Sequence, residues 1–450
     1  MSLPTSIPTK STETTQPLAG SISQKLRRVI NHKSSATVLH LYFIHFLNYL
    51  VPALSVALLT RRLSPSCYGR LIIAQSLGFT VSTFTEYGFR WTGSRAVAEN
   101  PTGANLGLLV SAINAAKLLI AAPCALLIPI SMLCIPSVSG YPLLVTGGYI
   151  WGVLQGLDLQ WYFMGRERLR AYLSVDTLMR ACAVAFILAL IHDDRDVSKV
   201  LLIQVACTLC LFIWAIRRVG VDLKLVIPSK HAIVEVMRDG GTLFLQQLAR
   251  YSTGTVNIAI LGMVSSPAHV GFFGCADKLV RYLSSLSAPI TQFVYPKISR
   301  KAAASSHQRA TRLANLAGGI SVAIGAGVSV IVFAIPKLII LLLYGKRMLP
   351  ALPALRILAI FPLLNAMTTS IVYYWLLPLR MERSSLRVLV VAGIINILSI
   401  ALLGKVWNET GAAAAVTITE IITLLGYLLA MRSTKASESN KFNTLTKEAI

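Results

Sequence analysis

The chain has 450 residues, 55% of them hydrophobic and only 13% charged, which is too little polar surface for a water-soluble protein of this length. Apolar runs of about 18 residues or more recur from end to end and predict a polytopic helical membrane protein, not a transmembrane barrel with its short alternating strands. The formal net charge of +24 is no nucleic-acid signal here, because the basic residues fall mainly in short loops between apolar runs.

Residues 1–36 are rich in Ser, Thr, Pro and Gln and read as a disordered cytoplasmic tail. A polar tail ahead of the first apolar run, with no cleavage site after it, predicts no signal peptide. Twelve spans follow, at 37–59, 69–89, 105–130, 141–164, 171–191, 198–219, 240–263, 271–295, 311–334, 351–377, 386–404 and 411–431. The run 335–345 extends the ninth or lies at the interface. The expected fold class is all-α, with two six-helix bundles at 37–219 and 240–431. A cytoplasmic linker at 220–239 joins them and a second tail covers 432–450. The loops on the side carrying both termini hold most of the Lys and Arg, so both termini are expected in the cytoplasm.

The division into halves rests on an internal match. SPSCYGRLIIAQS from Ser64 and SPAHVGFFGCADK from Ser266 align at an offset of 202, sharing Ser-Pro, Gly and Ala. A parallel duplication suits transporters, with the substrate site between the halves. At the same offset Lys278 corresponds to Ser76, Arg281 to Phe79 and Arg250 to Asn48. The fold therefore does not itself require those charges.

Lys117, Arg180, Arg250, Lys278, Arg281 and Arg356 fall inside expected spans. A charge at the bilayer centre costs about 2.5–3.5 kcal/mol, so the first five should face the bundle interior, while Arg356 can snorkel. In the eighth span Gly274, Lys278, Arg281 and Ser285 share one helical face, and Asp277 can pair with Arg281 at i,i+4. In the seventh, Gln246, Arg250, Thr253 and Asn257 form a similar stripe. Asp176 and Arg180 make another i,i+4 pair in the fifth, and Asn114 lies near Lys117 in the third. His45, Asn48, Tyr49, Pro52 and Ser55 line one side of the first. These stripes predict a cavity with surplus positive charge, for which phosphate is the natural ligand. The competing reading is that the acid–base pairs join helices, with Glu86, Asp158 or Glu420 as partners from other spans. Trp151, Gln155, Asp158, Trp161 and Tyr162 could stack on or hydrogen-bond sugar, or anchor the interface. Cys207-x-x-Cys210 lies in the apolar run LLIQVACTLCLFIW and reads as two small membrane residues, so no metal or cofactor is expected.

Several segments carry a family resemblance. LSPSCYGRLIIAQSLGFTVSTFTEYGFRWTGSRAVAE (63–99) holds Tyr68-Gly69, Glu86-Tyr87-Gly88-Phe89 and Arg95; LQWYFMGRERL (159–169) holds Trp161, Phe163, Gly165, Glu167 and Leu169. ADKL of the eighth span with YPKISR, then YGKRMLPALPALRILAIFPLL, then AGIINILSIAL and GAAAAVTITE, complete the series. In this order they resemble the Wzx-type O-antigen and polysaccharide flippases of the MOP superfamily, whose members have Gln where this chain has Met164. The resemblance implies a non-enzymatic transporter. Its substrate would be an undecaprenyl-pyrophosphate-linked oligosaccharide, carried across the bacterial inner membrane by alternating access. Membrane lipids, a polysaccharide polymerase and a chain-length regulator are the implied partners. Lys278, Arg281 and Arg250 would hold the pyrophosphate. A MATE-type exporter shares the fold but would favour an acidic cavity for cationic drugs. A polymerase or transferase could use Asp194-x-Asp196 of HDDRD as a DxD metal motif, but the loops leave no room for a catalytic domain.

Overall fold

The computed structural model describes residues 47, 50–99, 104–222, 226–303, 307–378 and 381–448, all within one unit, Leu47–Ile450. The expected tail 1–36, most of the first span and Asn48 lie outside the described residues. All regular structure among the described residues is helical. Residues 50–62 form α1. Pro65–Glu86 (α2), Phe89–Glu99 (α3), Ala104–Cys124 (α4), Pro142–Gly156 (α5), Gln160–Gly165 (α6), Leu169–Leu190 (α7) and Val197–Asp222 (α8) follow. Then come Lys230–Ser252 (α9), Val256–Val264 (α10), Pro267–Ser284 (α11), Ala288–Ala303 (α12), His307–Ala334 (α13), Leu352–Leu358 (α14), Phe361–Ile371 (α15) and Glu382–Glu448 (α16).

Among the described residues, five helical stretches are long and apolar enough to cross a membrane: Asn105–Cys134, Leu169–Leu190, Asp194–Val221, Ala310–Ala334 and Arg383–Arg432. The pair Lys346–Leu358 and Phe361–Leu376, bent by 42°, makes a sixth. The chain is thus a multi-pass helical membrane protein. Several of the twelve expected spans are not single helices, however. The span at 141–164 breaks at 157–159, and that at 240–263 breaks around Gly254. The span at 271–295 passes through a tight turn at Ser285–Ser287, where the hydroxyls of Ser284, Ser285 and Ser287 donate to carbonyls three or four residues back. Those breaks sit where side-chain hydroxyls or glycine compete with the helical ladder. The last two spans lie in α16, separated by non-helical backbone at Trp407 and Asn408 (φ 49°, ψ −126°).

The repeated Ser-Pro motif starts α2 and α11. Ser64 accepts the N–H of Cys67 at 3.3 Å with Pro65 at the first helical position; Pro267 takes the same position after Ser266. The two helices then cross at matched glycines. A Cβ on Gly69 would lie 1.7 Å from the carbonyl oxygen of Pro267, and one on Gly271 would lie 2.5 Å from that of Pro65. Around this crossing a buried core gathers Leu63, Leu71, Ile72, Ile73, Phe273, Val280 and Leu355. α2 ends in the EYGF motif: Tyr87 and Gly88 both have positive φ (47° and 81°), and a side chain on Gly88 would also meet Leu243 at 2.9 Å.

The end of the molecule near the crossing is laced by arginine and aspartate. Arg61 donates to the carbonyls of Leu342 and Leu343, and Arg62 to those of Ile187, Leu188 and Ile191. Asp194 accepts the N–H of Ser64 at 2.6 Å, while Asp196 pairs with Lys199 at 2.6 Å. Both acids of the DxD pattern thus serve helix ends. A side chain at Gly69 would strike backbone, which no rotamer relieves. Gly69→Leu is therefore expected to destabilise the purified protein by about 3 kcal/mol or more, the upper end for overpacking. Gly319→Leu, where a Cβ meets nothing within 4 Å, serves as the control in the same thermal-unfolding measurement.

Candidate functional site

Two cavities meet at the side chains of Phe79, Gln155, Asp176, Arg180, Thr208 and Leu211, which line both. Each has a volume of about 190 Å³. The inner chamber is walled by α2, α3, α4, α7, α8 and the break between α5 and α6. It presents Glu86, Arg90, Lys117, Asp158, Trp161 and Tyr172. The outer chamber carries Lys278, Gln75, Gln204 and Tyr68, with an apolar flank of Val51, Pro52, Met179 and Val184.

Lys278 has no acidic partner within salt-bridge distance among the described residues. Its ammonium donates to Oε1 of Gln75 at 3.3 Å and stands 5.9 Å from the centre of the Tyr68 ring. Gln75 in turn donates to Oε1 of Gln204 at 3.1 Å, so α11, α2 and α8 are tied in one chain of side chains. Asp176 and Arg180 pair at 2.9 Å and form the partition between the chambers. Lys117 is fully buried and donates to the backbone carbonyl of Asp158 at 2.9 Å. The Asp158 carboxylate accepts the hydroxyl of Tyr172 and, at 2.8 Å, the N–H of Gln160. Glu86 lies 3.6 Å from Arg90 and accepts a hydrogen bond from Gln247 of α9.

The other expected site residues go elsewhere. Arg281 donates to both oxygens of Asp277 at 2.9 and 2.8 Å and lies over the Phe361 ring at 5.0 Å, away from the partners of Lys278. One helical face thus divides, because Lys278 reaches toward α2 and Arg281 toward α15. Arg250 is exposed in the last turn of α9 and lines neither chamber. Gln246 is half-buried and also lines neither; its neighbour Gln247 makes the contact to Glu86. Asn257 is fully buried and accepts from Asn396 at 2.6 Å, while Asn396 also donates to the carbonyl of Ser252 at 2.8 Å and accepts from Thr419 at 3.1 Å. It is a join between α10 and α16. Trp161 and Tyr162 are fully buried in a core with Phe89, Phe163 and Leu211, whereas Trp151 packs edge-on to Phe79 at the outer chamber. Gln75 and Gln204 were not singled out by spacing. Their signal is a lone amide in each of two otherwise apolar runs, LIIAQSLGF and LLIQVAC.

The charge of this tract is mixed. Three carboxylates and three cations line the inner chamber, and Lys278 adds one cation to the outer. The cationic stripes expected from spacing do not converge on one surface.

Among characterised proteins, the "Putative O-antigen transporter" of Escherichia coli (strain K12) is 25% identical over 415 residues, covering 88% of this chain and 96% of that protein. That of Shigella dysenteriae is 24% identical over 405 residues, covering 88% and 99%. The structure resembles the lipid II flippase MurJ in an inward closed conformation, with a TM-score of 0.72 at 13% identity, covering 88% of this chain and 87% of that one. It also resembles a multidrug resistance MATE family transporter of the MOP superfamily in an inward-facing conformation (TM-score 0.62, 14% identity, 87% and 95% covered). These two likenesses establish the fold. The sequence profile described as polysaccharide biosynthesis protein matches residues 35–302, a stretch that contains α1 to α11 and both chambers. On that match, which spans more than half of its length, the chain belongs to the polysaccharide biosynthesis protein family.

Proposed function

We propose that the chain is a flippase for undecaprenyl-pyrophosphate-linked oligosaccharide repeat units in the bacterial inner membrane, serving O-antigen, exopolysaccharide or capsule synthesis. Lys278 is the observation that carries this reading. A lysine in a membrane chamber, held by an amide and not by a carboxylate, keeps its charge available to an anion. A pyrophosphate is such an anion. The apolar flank of Val51, Pro52, Met179 and Val184 suits the first isoprenes of the carrier, and the polar inner chamber suits the sugars. Alternating access would rock one six-helix bundle against the other about the glycine crossing, with both termini cytoplasmic. The exported unit would pass to a polymerase and chain-length regulator. Lys278 is thus the anion post, with Arg180 beside it on the shared wall. Arg281 and Asp277 hold α11 in place, Lys117 holds the α5–α6 break, and Asn257 holds α10.

The test compares variants at matched protein levels in cells lacking their own flippases, scoring lipid-linked repeat units stranded on the cytoplasmic leaflet. Losing a buried charge contact costs about 2–5 kcal/mol, so Lys278→Gln is expected to cut transport at least tenfold, roughly 1.4 kcal/mol, with partial rescue by Lys278→Arg. Wild-type transport by Lys278→Gln would remove the pyrophosphate assignment. Gln75→Leu leaves the ammonium without its amide and is expected to give a smaller loss, read in the same assay. Arg281→Gln is expected to lower thermal stability, because Asp277 is then left buried without its counter-ion.

A further inference from the structure

The inner chamber is electrically balanced, and this bears on which sugars it accepts. Glu86 faces Arg90, Asp176 faces Arg180, and Lys117 is anchored to the carbonyl of Asp158, whose carboxylate is occupied by Tyr172 and Gln160. A carboxylate entering this space would leave water to meet three resident carboxylates, and the three resident cations balance only those. An uncharged sugar meets the opposite situation. Its hydroxyls can donate to fixed carboxylate oxygens and accept from fixed ammonium and guanidinium groups, so each polar atom lost from water finds a counterpart. The single surplus cation of the tract, Lys278, lies in the outer chamber and is taken by the pyrophosphate.

Resting on the flippase reading above, we propose that the inner chamber selects repeat units whose sugars are uncharged, hexoses or N-acetylhexosamines, and discriminates against hexuronates, with Glu86 and Asp176 as specificity-determining residues. The carboxylates, not the arginines, set the discrimination, since removing one leaves a cation free to accept an acidic sugar.

The experiment uses the full chain in a host lacking its own flippases and supplies two lipid-linked units that differ only in carrying a hexose or the corresponding hexuronate. The readout is the ratio of the two units exposed on the outer leaflet. The wild-type chain is expected to favour the neutral unit by roughly tenfold or more, the consequence of an uncompensated buried charge. Glu86→Gln and Asp176→Asn are each expected to shift the ratio toward the hexuronate unit by about tenfold. Both units are read on the same protein, so a partly misfolded variant lowers both and leaves their ratio intact. Equal transport of the two units, or preference for the acidic one, overturns the selectivity and leaves the flippase reading standing. Transport of neither unit overturns the flippase reading and the selectivity with it.

Discussion

Backbone touches backbone where α2 crosses α11, and the meeting of Gln75 with Lys278 builds on that contact. Only glycine permits it, because a Cβ at either Gly69 or Gly271 would lie closer to a carbonyl oxygen than van der Waals contact allows. The crossing fixes the two helices in register. Gln75 lies six residues beyond Gly69 and Lys278 seven beyond Gly271, so both are about 9–10 Å further along their axes. There the helices have separated enough for two long side chains to bridge the gap at 3.3 Å. The outer chamber opens beside that bridge.

The cations in and beside the tract are held by three devices, and the device bears on their availability. Arg180 and Arg281 each take a carboxylate one turn away on their own helix. Such pairs are complete before the helix meets anything else. Lys117 uses a backbone carbonyl exposed by the break between α5 and α6. Lys278 uses a neutral amide, which satisfies a proton of the ammonium while cancelling none of its charge. Lys117 shares its chamber with as many carboxylates as cations, whereas Lys278 adds a cation to the outer chamber without a carboxylate to match it.

The legible and illegible parts of the molecule divide by range of contact. Asp176–Arg180 and Asp277–Arg281 were readable from spacing because an α-helix forces residues four apart onto one face. The starts of α2 and α11 were readable because Ser-Pro is a local signal. The link from Lys278 to Gln75 joins residues 203 apart and has no local trace. Nor does the join of Asn257 to Asn396, residues 139 apart. Arg250 misled because helical periodicity places it with Asn257, yet the chain breaks at Gly254 between them and the two faces part company. The breaks at Gly254 and Ser285–Ser287 were hidden for a related reason. Hydropathy registers how apolar a window is, and a few hydroxyls that interrupt the ladder scarcely change it.

The glycine crossing is made twice over by one motif. Pro65 and Gly69 present to Pro267 and Gly271 the same surface that they receive in return. A contact in which residue i of one element meets j of the other while j meets i is the signature of an isologous dimer interface. Beyond it the symmetry lapses, for Lys278 follows Gly271 at the distance at which Ser76 follows Gly69.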